Sequence, residues 1–580
     1  MTDKGSCGRA RASVLGPLVG PLVAVVALAL VASCLWATGA QAAATGAAEG
    51  SSPPVSEAEA IKVANRDPNV AKEREKNGAL APVANVVDGQ WEVAYFVGGD
   101  EVALVIVDRH SGEVRESWTG YQVAWKMARG YSGAFGHKLN APYVFLPLCA
   151  LFLIGLVDWR RLWRVANLDL LVLLGFGVSH FFFNRGEIGV SVPLQYPVLL
   201  YLLARALWIG FRGCGEGLRP VWPVAWMLVA ALFLMGFRVG LNLADSGAID
   251  VGYASVVGAD RITHGEPIYG NFPDDVSQGD TYGPVNYIAY VPAELIWPWS
   301  GSWDDLPAAH GAAVTFDIAT FLLLIWLGLR IRPGPRGRRL AAILAFGWAA
   351  YPYTAFALEA NSNDTLVAML LVATLLLLAR PMARGAMAAL ATFAKFAPAL
   401  LVPMLLTYRP NLEQGPGSHG EGVRERRRSP RPQDTLPVRS ALLFAGAFLL
   451  VSALVMLWPA IDPGLHTVYD RTIAYQSSRD SPFSIWGQVS SLEPLRVAIL
   501  ICTAALSLLL AFRPRRKSLL QVAALGAALL VALQLTMQHW FYPLLLVAMA
   551  SLEAGPPAFR NREVAQAPSP AGTSPPAPSR

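Results

Sequence analysis

Long apolar runs alternate with short polar loops along most of the chain, from residue 141 to residue 553. A helix that crosses a bilayer needs about 20 consecutive apolar residues, and many of the runs approach that length. We predict spans at 141–157, 166–182, 191–211, 221–243, 309–329, 339–357, 364–380, 441–461, 495–512, 518–537 and 541–553. The pattern therefore predicts an all-α polytopic membrane protein with about 11–13 membrane helices.

Most Lys and Arg residues of this region fall into one set of alternate loops. These loops are 158–164, 212–219, 330–339, 380–384, 408–440 and 513–517, and the positive-inside rule places them in the cytoplasm. The loop 244–308 has ten acidic residues against Arg261 alone, so we expect it outside, together with 462–493. The same parity predicts an interfacial helix at 282–299 and a bent hairpin at 385–407 with Lys395 at its tip.

Composition excludes several classes of protein. Hydrophobic residues make up 54% of the 580 residues and charged residues 15%, against about 25% charged residues in soluble domains. The mean hydropathy is +0.40 and the net charge is +6. The arginine clusters sit in short loops between apolar runs, which disfavours nucleic-acid binding. The five cysteines form no CxxC or Cys/His cluster, so we expect neither a disulfide framework nor a zinc site.

The first 44 residues, 1–44, have the pattern of a secretory signal. Three basic residues precede an apolar run at 14–37, and small residues follow it. The run is long for a signal peptide, so an uncleaved signal anchor stays open. Two other segments, the basic loop 408–440 and the Pro-rich tail 554–580, have the composition of disordered cytoplasmic chain.

Residues 53–136 are polar enough to form a small soluble domain outside the membrane. A helical pattern behind a serine cap is followed by strands at 91–96 and 102–107 and by a turn into a further strand. The stretches Glu57-Ala-Glu-Ala-Ile61 and Val107-Asp-Arg-His-Ser-Gly-Glu-Val114 resemble the PepSY domain. The resemblance implies an accessory, non-catalytic, extracytoplasmic α+β domain.

Several polar residues interrupt the apolar pattern on the side that we expect outside. Asp245 and Asp250 follow a span, Asn361 and Asn363 separate two spans, and Lys395 lies inside an apolar segment. A charge inside a membrane segment is costly unless it is paired, so Lys395 is a functional hypothesis. Each position also has a structural interpretation, as a helix cap, as a chain turn, or as a lysine that extends its ammonium to the membrane surface.

A series of short motifs runs through residues 220–553. The motifs are Asp250-Val-Gly-Tyr253, Gly265-Glu-Pro-Ile-Tyr269, Tyr282-Gly-Pro284, Asn361-Ser-Asn-Asp364, Lys395-Phe-Ala-Pro398, Ser481-Pro-Phe-Ser-Ile-Trp-Gly487 and His539-Trp-Phe-Tyr542. Their order and sidedness resemble the GT-C superfamily of polyprenyl-phosphate-sugar glycosyltransferases, and within it glycosyltransferase family 87. Family members usually have proline at the position of Gly283, and this chain has additional helices at 141–219 before the core.

The resemblance implies a multi-pass enzyme of the cell membrane with its active face outside the cytoplasm. It would transfer a mannose-like sugar, with inversion, from a polyprenyl-phosphate donor to a glycan or lipid acceptor. Asp250 would be the general base, with Asp245 as the fallback. Lys395, Arg479, His539 and Tyr542 would bind the lipid phosphate, and Tyr253, Tyr282, Asn361 and Asn363 would bind the substrate. The sequence assigns no cofactor; the outer carboxylates permit a divalent metal ion, but no metal-ligand spacing is present.

Two other functions stay open. A transporter or flippase of lipid-linked sugars would usually show inverted repeats with broken spans in matching positions, and the sequence has no such repeat. A PepSY-type sensor or assembly factor would have a membrane part that is purely structural. An activity that is lost when Asp250 is replaced, while the fold is kept, would distinguish an enzyme from a PepSY-type sensor or assembly factor.

Overall fold

The computed structural model describes residues 54–87, 89–213, 217–332, 334–410, 436–478 and 482–536. The predicted signal segment 1–44, the span 541–553, the tail 554–580 and most of the loop 408–440 lie outside the described residues. The described chain begins with a small α+β unit and continues as a large helical bundle.

The α+β unit contains helices α1 (Glu57–Ala64) and α2 (Pro68–Asn77) and an antiparallel four-stranded meander. The strands are β1 (Ala81–Val87), β2 (Gln90–Val97), β3 (Asp100–Val107) and β4 (Val114–Thr119), and they lie side by side in that order. Val93 and Tyr95 on β2 and Val105 on β3 alternate with more exposed residues and join Ala60 and Ala64 of α1 in one core. The predicted helix and the two predicted strands are therefore confirmed.

Two elements of this unit escaped the prediction. Helix α2 has almost no apolar face, but its start has a local signature: the Asp67 carboxylate accepts the Asn69 amide at 2.8 Å, and Pro68 is the first helical residue. Strand β1 lies at the edge of the sheet, and six of its seven side chains are exposed. Without a buried face it lacks the alternation that identifies a strand in a sequence.

The helical bundle follows a short connection. Its helices are α3 (Tyr121–Ala124), α4 (His137–Asn140), α5 (Pro142–Leu156), α6 (Val165–Leu174), α7 (Phe176–Asn184), α8 (Ile188–Ser191), α9 (Tyr196–Arg212), α10 (Val224–Asp245), α11 (Asp250–His264), α12 (Pro284–Glu294), α13 (Pro307–Ile331), α14 (Gly334–Ala350), α15 (Pro352–Glu359), α16 (Asp364–Leu376), α17 (Pro381–Ala394), α18 (Val402–Leu406), α19 (Leu436–Pro459), α20 (Leu465–Tyr469), α21 (Tyr475–Ser478), α22 (Ile485–Gln488), α23 (Glu493–Phe512) and α24 (Leu519–Gln534).

Six helical segments within the described residues are long and apolar enough to cross a membrane. They are Val165–Asn184, Ile188–Arg212, Val224–Asp245, Pro307–Ile331, Val438–Ala474 and Ser490–Phe512. The bent pair α14 and α15 makes a seventh if it counts as one span, and α5, α16 and α24 are shorter apolar helices. The protein is therefore a helical, polytopic membrane protein.

The span predicted at 339–357 is not one straight helix. Helices α14 and α15 meet at a bend of 58°, where Tyr351 is extended with φ −75° and ψ 120°. Pro352 explains the bend, because it has no amide hydrogen and disfavours the helical conformation of the residue before it. The Trp348 carbonyl, which loses its helical partner at Pro352, accepts instead from Arg238 Nη1 at 2.8 Å and from Thr354 Oγ1 at 2.6 Å.

The segment 385–407 forms the bent hairpin that we expected. Helix α17 ends at Ala394, Lys395 is extended, and a 3₁₀ turn leads into α18. Near the two ends of the hairpin, the Arg384 guanidinium lies 5.2 Å from the centre of the Tyr408 ring, so the chain returns to the level at which it started. Lys395 thus lies at the turn, away from both ends.

The regions expected outside contain more helix than loop at two places. Helix α12, within the predicted interfacial segment 282–299, is an 11-residue helix whose buried side packs against the core, while Ile288 and Leu295 face outward. In the second region, 462–493, helical turns continue through α20 and α21 after a break at Asp462. The helical segment that starts in α19 therefore extends to Ala474, although the residues after 461 are largely polar.

Hydrogen bonds draw the arginine-bearing loops together at one end of the bundle. Arg164 Nη2 donates to the Gly217 carbonyl at 2.6 Å, and Arg339 Nη2 donates to the Pro220 carbonyl at 3.1 Å. We call this the arginine-rich end; it comprises residues 158–164, 212–220, 330–339, 380–384, 409–410 and 513–521. The opposite end, the acidic end, comprises residues 245–250, 268–282, 359–364, 395 and 465–471.

Candidate active site at the acidic end

Asp250 is an exposed carboxylate at the first turn of α11. Its Oδ1 accepts the amide of Val251 at 3.0 Å, and the negative charge suits the positive end of a helix. The chain just before it is held by a main-chain bond from the Ile249 amide to the Ala360 carbonyl, 3.1 Å long. This bond joins the start of α11 to the polar break between α15 and α16.

Lys395 pairs with Asp364 across that break. Its Nζ lies 2.6 Å from Asp364 Oδ1, and the two side chains are 12% and 18% exposed. The Tyr282 ring centre lies 6.0 Å from the same ammonium, and Ser362 Oγ donates to the other carboxylate oxygen at 3.1 Å. A cation–carboxylate pair with this much shielding is attracted more strongly than a surface pair, but it still reaches solvent.

Asn361 forms the polar break itself. It has φ +47°, an unusual conformation for a residue other than glycine, and asparagine tolerates it better than most residues. Asn242 Nδ2 donates to Asn361 Oδ1, and the side-chain Nδ2 of Asn361 donates to Ser246 Oγ, both at 2.9 Å. These buried bonds stabilise the turn, so Asn361 has a structural role whether or not it also contacts a substrate.

Asn363 differs from Asn361. It is fully buried, and neither its amide nitrogen nor its amide oxygen has a hydrogen-bond partner among the described residues. A buried amide without partners loses its hydration without compensation, which costs about 1–3 kcal/mol per group. An amide in this state, directly before Asp364, is suited to bind a polar group that enters the site.

The two tyrosines assigned to substrate binding lie in different surroundings. Tyr253 is buried: its hydroxyl donates to Asp275 Oδ2 at 3.1 Å, its ring stacks on Trp303 at 4.7 Å, and burial raises its pKa to about 12. The structure therefore does not present Tyr253 together with the exposed Asp250. Tyr282 lies beside Lys395, as described above, and its carbonyl accepts the Tyr269 hydroxyl at 2.9 Å.

A second cation, Arg471, lies at the acidic end and was not singled out in the sequence. Its Nε donates to Asp280 Oδ2 at 2.7 Å, and its Nη2 donates to the Ser277 carbonyl. The same carboxylate oxygen accepts the Gly270 amide at 2.6 Å, and Asp280 is fully buried. The arginine thereby ties the segment after α20 to the loop that leads to Tyr282.

Asp245, the fallback base, holds the connection to the α+β unit. Its Oδ2 accepts the Lys138 amide at 2.5 Å, close to the start of the short helix α4. Beside it, Glu359 is fully buried, and both of its carboxylate oxygens lack a hydrogen-bond partner among the described residues. A Cβ at Gly136 would lie 3.0 Å from Glu359 Oε2, so the same connection packs directly on this carboxylate.

Three residues assigned to the donor phosphate, Arg479, His539 and Tyr542, lie outside the described residues. The described part of their motifs has structural contacts. Ser484 caps α22, and Trp486 Nε1 donates to the Leu535 carbonyl at 2.8 Å. No group of three or more His, Cys, Asp or Glu side chains in the described part of the chain could hold a metal ion.

Comparisons with known proteins add no identification to this geometry. No family model matches the chain, and no curated protein matches it either. The resemblances to the GT-C superfamily and to the PepSY domain therefore stay predictions from the motifs.

Proposed function

We propose that this protein is a membrane glycosyltransferase of GT-C type, with about 11–13 membrane helices and an extracytoplasmic PepSY-like domain. It transfers a mannose-like sugar from a polyprenyl-phosphate donor to a glycan or lipid acceptor at the acidic end. The observation that supports the proposal most directly is the partly exposed Lys395–Asp364 pair, joined through residues 360–364 to the start of α11 and its exposed Asp250.

The acidic end is the extracytoplasmic face in this proposal. The arginine-bearing loops meet at the opposite end of the bundle, and such loops remain on the cytoplasmic side of a membrane. The lipid-linked donor then reaches the site from the outer leaflet. We expect a membrane-impermeant thiol reagent to label a cysteine placed in 268–282 from the outside. A cysteine placed in 513–517 should be labelled only after permeabilisation.

The donor phosphate binds at Lys395. A lysine donates up to three hydrogen bonds, so the ammonium can hold a phosphate oxygen while Asp364 continues to orient it. The buried amide of Asn363 supplies unused donor and acceptor groups nearby in the chain. Arg471, held in place by Asp280, is a further cation of the same end that can neutralise the phosphate in addition to the predicted Arg479.

Asp250 is the general base in the transfer. The acceptor hydroxyl oxygen forms a bond to the anomeric carbon while the bond from that carbon to the phosphate oxygen breaks. The phosphate leaves with the electron pair, and Asp250 takes the proton of the acceptor hydroxyl. A single displacement of this kind inverts the configuration at the anomeric carbon.

The base assignment is tested with Asp250→Asn in purified protein supplied with a polyprenyl-phosphate sugar and a glycolipid acceptor. We expect donor binding to be kept and turnover to fall by at least about 100-fold, the lower range for loss of a general base. Asp260→Asn, at the other end of the same helix, is the matched control and should keep its turnover. Near-normal turnover of Asp250→Asn with an inactive Asp245→Asn would move the base to Asp245, and normal turnover of both would exclude this mechanism.

The donor site is tested with Lys395→Met and a polyprenyl phosphate that has no sugar. We expect the affinity for the lipid phosphate to fall by about 10-fold or more, because a charge-assisted hydrogen bond is lost. Lys138→Met is the control, since Lys138 is an exposed lysine of the same end whose main-chain amide, and not its ammonium, binds Asp245. Equal affinity of the parent and Lys395→Met would disprove the assignment.

A further inference from the structure

Lys517 is completely buried at the arginine-rich end, which lies opposite the candidate active site. Lys517 directly precedes the Ser518 cap of α24 and has no solvent-exposed surface. Its Nζ has no hydrogen-bond partner among the residues that the structure describes. Lysine is among the residues least often buried in proteins, and when buried it is normally paired with an anion.

The main chain fixes the place of this side chain. The Lys517 amide donates to the Arg409 carbonyl at 3.0 Å, and Pro410 and Lys517 form an isolated parallel bridge. On the other side, Ser518 and Gln521 form a reciprocal capping box at the start of α24. The end of the 385–407 hairpin and the start of α24 therefore fix the main chain of Lys517 from both directions.

The electrostatic surroundings of Lys517 favour an anion. Burial and, to a smaller extent, the positive charge of Arg409 together lower the pKa of its ammonium to about 8. At neutral pH the group is still mostly protonated. Two cations therefore lie together, one of them dehydrated, and an anion bound between them would relieve both the repulsion and the loss of hydration.

We propose that Lys517 and Arg409 bind a phosphate group at the arginine-rich end. Arginine and lysine are the residues that hold phosphate oxygens through charge-assisted hydrogen bonds. The neighbouring Arg513, Arg515 and Arg516 are exposed and add positive potential at this end of the bundle. The phosphate belongs to the head group of an anionic phospholipid or is free inorganic phosphate; both have the same chemistry at the site. This site is separate from the donor site and does not depend on the proposed transferase activity.

Native mass spectrometry after reconstitution in phosphatidylglycerol and in phosphatidylcholine tests the lipid source. The variant is Lys517→Met, and Arg516→Met, which removes the same charge from an exposed neighbour, is the control. We expect Lys517→Met to retain at least about 10-fold less phosphatidylglycerol than the parent, and Arg516→Met to lose about 5-fold or less. Arg409→Met should also lower retention; it leaves the buried lysine in place and serves if Lys517→Met does not fold.

Thermal unfolding in neutral detergent with inorganic phosphate tests the other source. A rise in the melting temperature of the parent that is absent in Lys517→Met and present in Arg516→Met would assign the site to free phosphate. If neither phosphatidylglycerol retention nor stabilisation by phosphate depends on Lys517 or Arg409, the site does not exist.

Discussion

Replacing Arg238 with methionine should destabilise the bundle more than any surface substitution. Arg238 lies in the middle of α10, is 1% exposed, and pairs with the fully buried Asp317 of α13 at 3.0 Å. Its Nη2 also donates to the Thr354 carbonyl at 2.7 Å, and its Nη1 donates to the Trp348 carbonyl. The guanidinium therefore joins two helices to the bend between α14 and α15.

The size of the effect follows from what the substitution leaves behind. Methionine fills much of the volume, but the Asp317 carboxylate remains buried, and among the described residues Trp348 Nε1, at 2.8 Å, is its one remaining hydrogen-bond donor. Removal of one partner from a buried ion pair costs about 3–5 kcal/mol. Because each 1.4 kcal/mol changes an equilibrium constant about tenfold, the equilibrium constant of unfolding should rise by about 140- to 4,000-fold.

The free energy of unfolding is measured by titration with denaturing detergent in mixed micelles. The double variant Arg238→Met/Asp317→Asn should lose less than the sum of the single variants, because the isolated charge is then gone. Arg185→Met, in an ion pair that is 55% exposed at the arginine, is the control and should lose about 1 kcal/mol or less. A loss below about 1 kcal/mol for Arg238→Met, or full additivity in the double variant, would refute the reasoning.

Gly283→Ala should force α12 away from α17, because an added Cβ would lie 2.1 Å from a main-chain carbonyl oxygen of α17. We expect thermal unfolding to show a loss of about 1–3 kcal/mol in the free energy of unfolding. Gly247→Ala is the control, because a Cβ at Gly247 would meet open space. The Ser111 amide and the Arg115 guanidinium hold the pKa of Asp108 well below its usual value, so this carboxylate stabilises the fold fully above that usual value and progressively less as the pH falls below it. Asp108→Asn should therefore lower the melting temperature at pH ~7, and the difference in melting temperature from the parent should be smaller at pH ~3, as measured by scanning calorimetry. An equal difference at both pH values would contradict the lowered pKa of Asp108.

The sequence was most informative where lipid dictates the structure. A chain in a bilayer must satisfy its main-chain polar groups within each segment, so an apolar run of sufficient length becomes a helix with little influence from its neighbours. The predicted helix boundaries were less accurate where a single residue changes the direction of the chain. Pro352 is visible in the sequence, but the apolar residues on both sides of it suggested one continuous span. The polar residues at Asp462 likewise predict the end of a helix, but the chain resumes helical turns at Leu465.

The candidate site was predictable in part. Lys395 was found because a charge in an apolar run is unusual, but its partner Asp364 lies 31 residues earlier, and such pairing depends on tertiary packing. Arg238 and Asp317 also interrupt apolar spans and carry the same signal, although our prediction does not include them. Arg471 has no local signature, because its contact with Asp280 joins residues 191 positions apart.

Main-chain contacts help to hold the segments of the acidic end together, beside the side-chain bonds of Asn361 and Arg471. The Ile249 amide binds a carbonyl of the polar break, and a Cβ at Gly252 or Gly283 would collide with the main chain opposite. The side chains of Asp250 and Tyr282 take no part in these close approaches. A substitution of the exposed Asp250 can therefore change the chemistry at this end while these main-chain contacts stay in place.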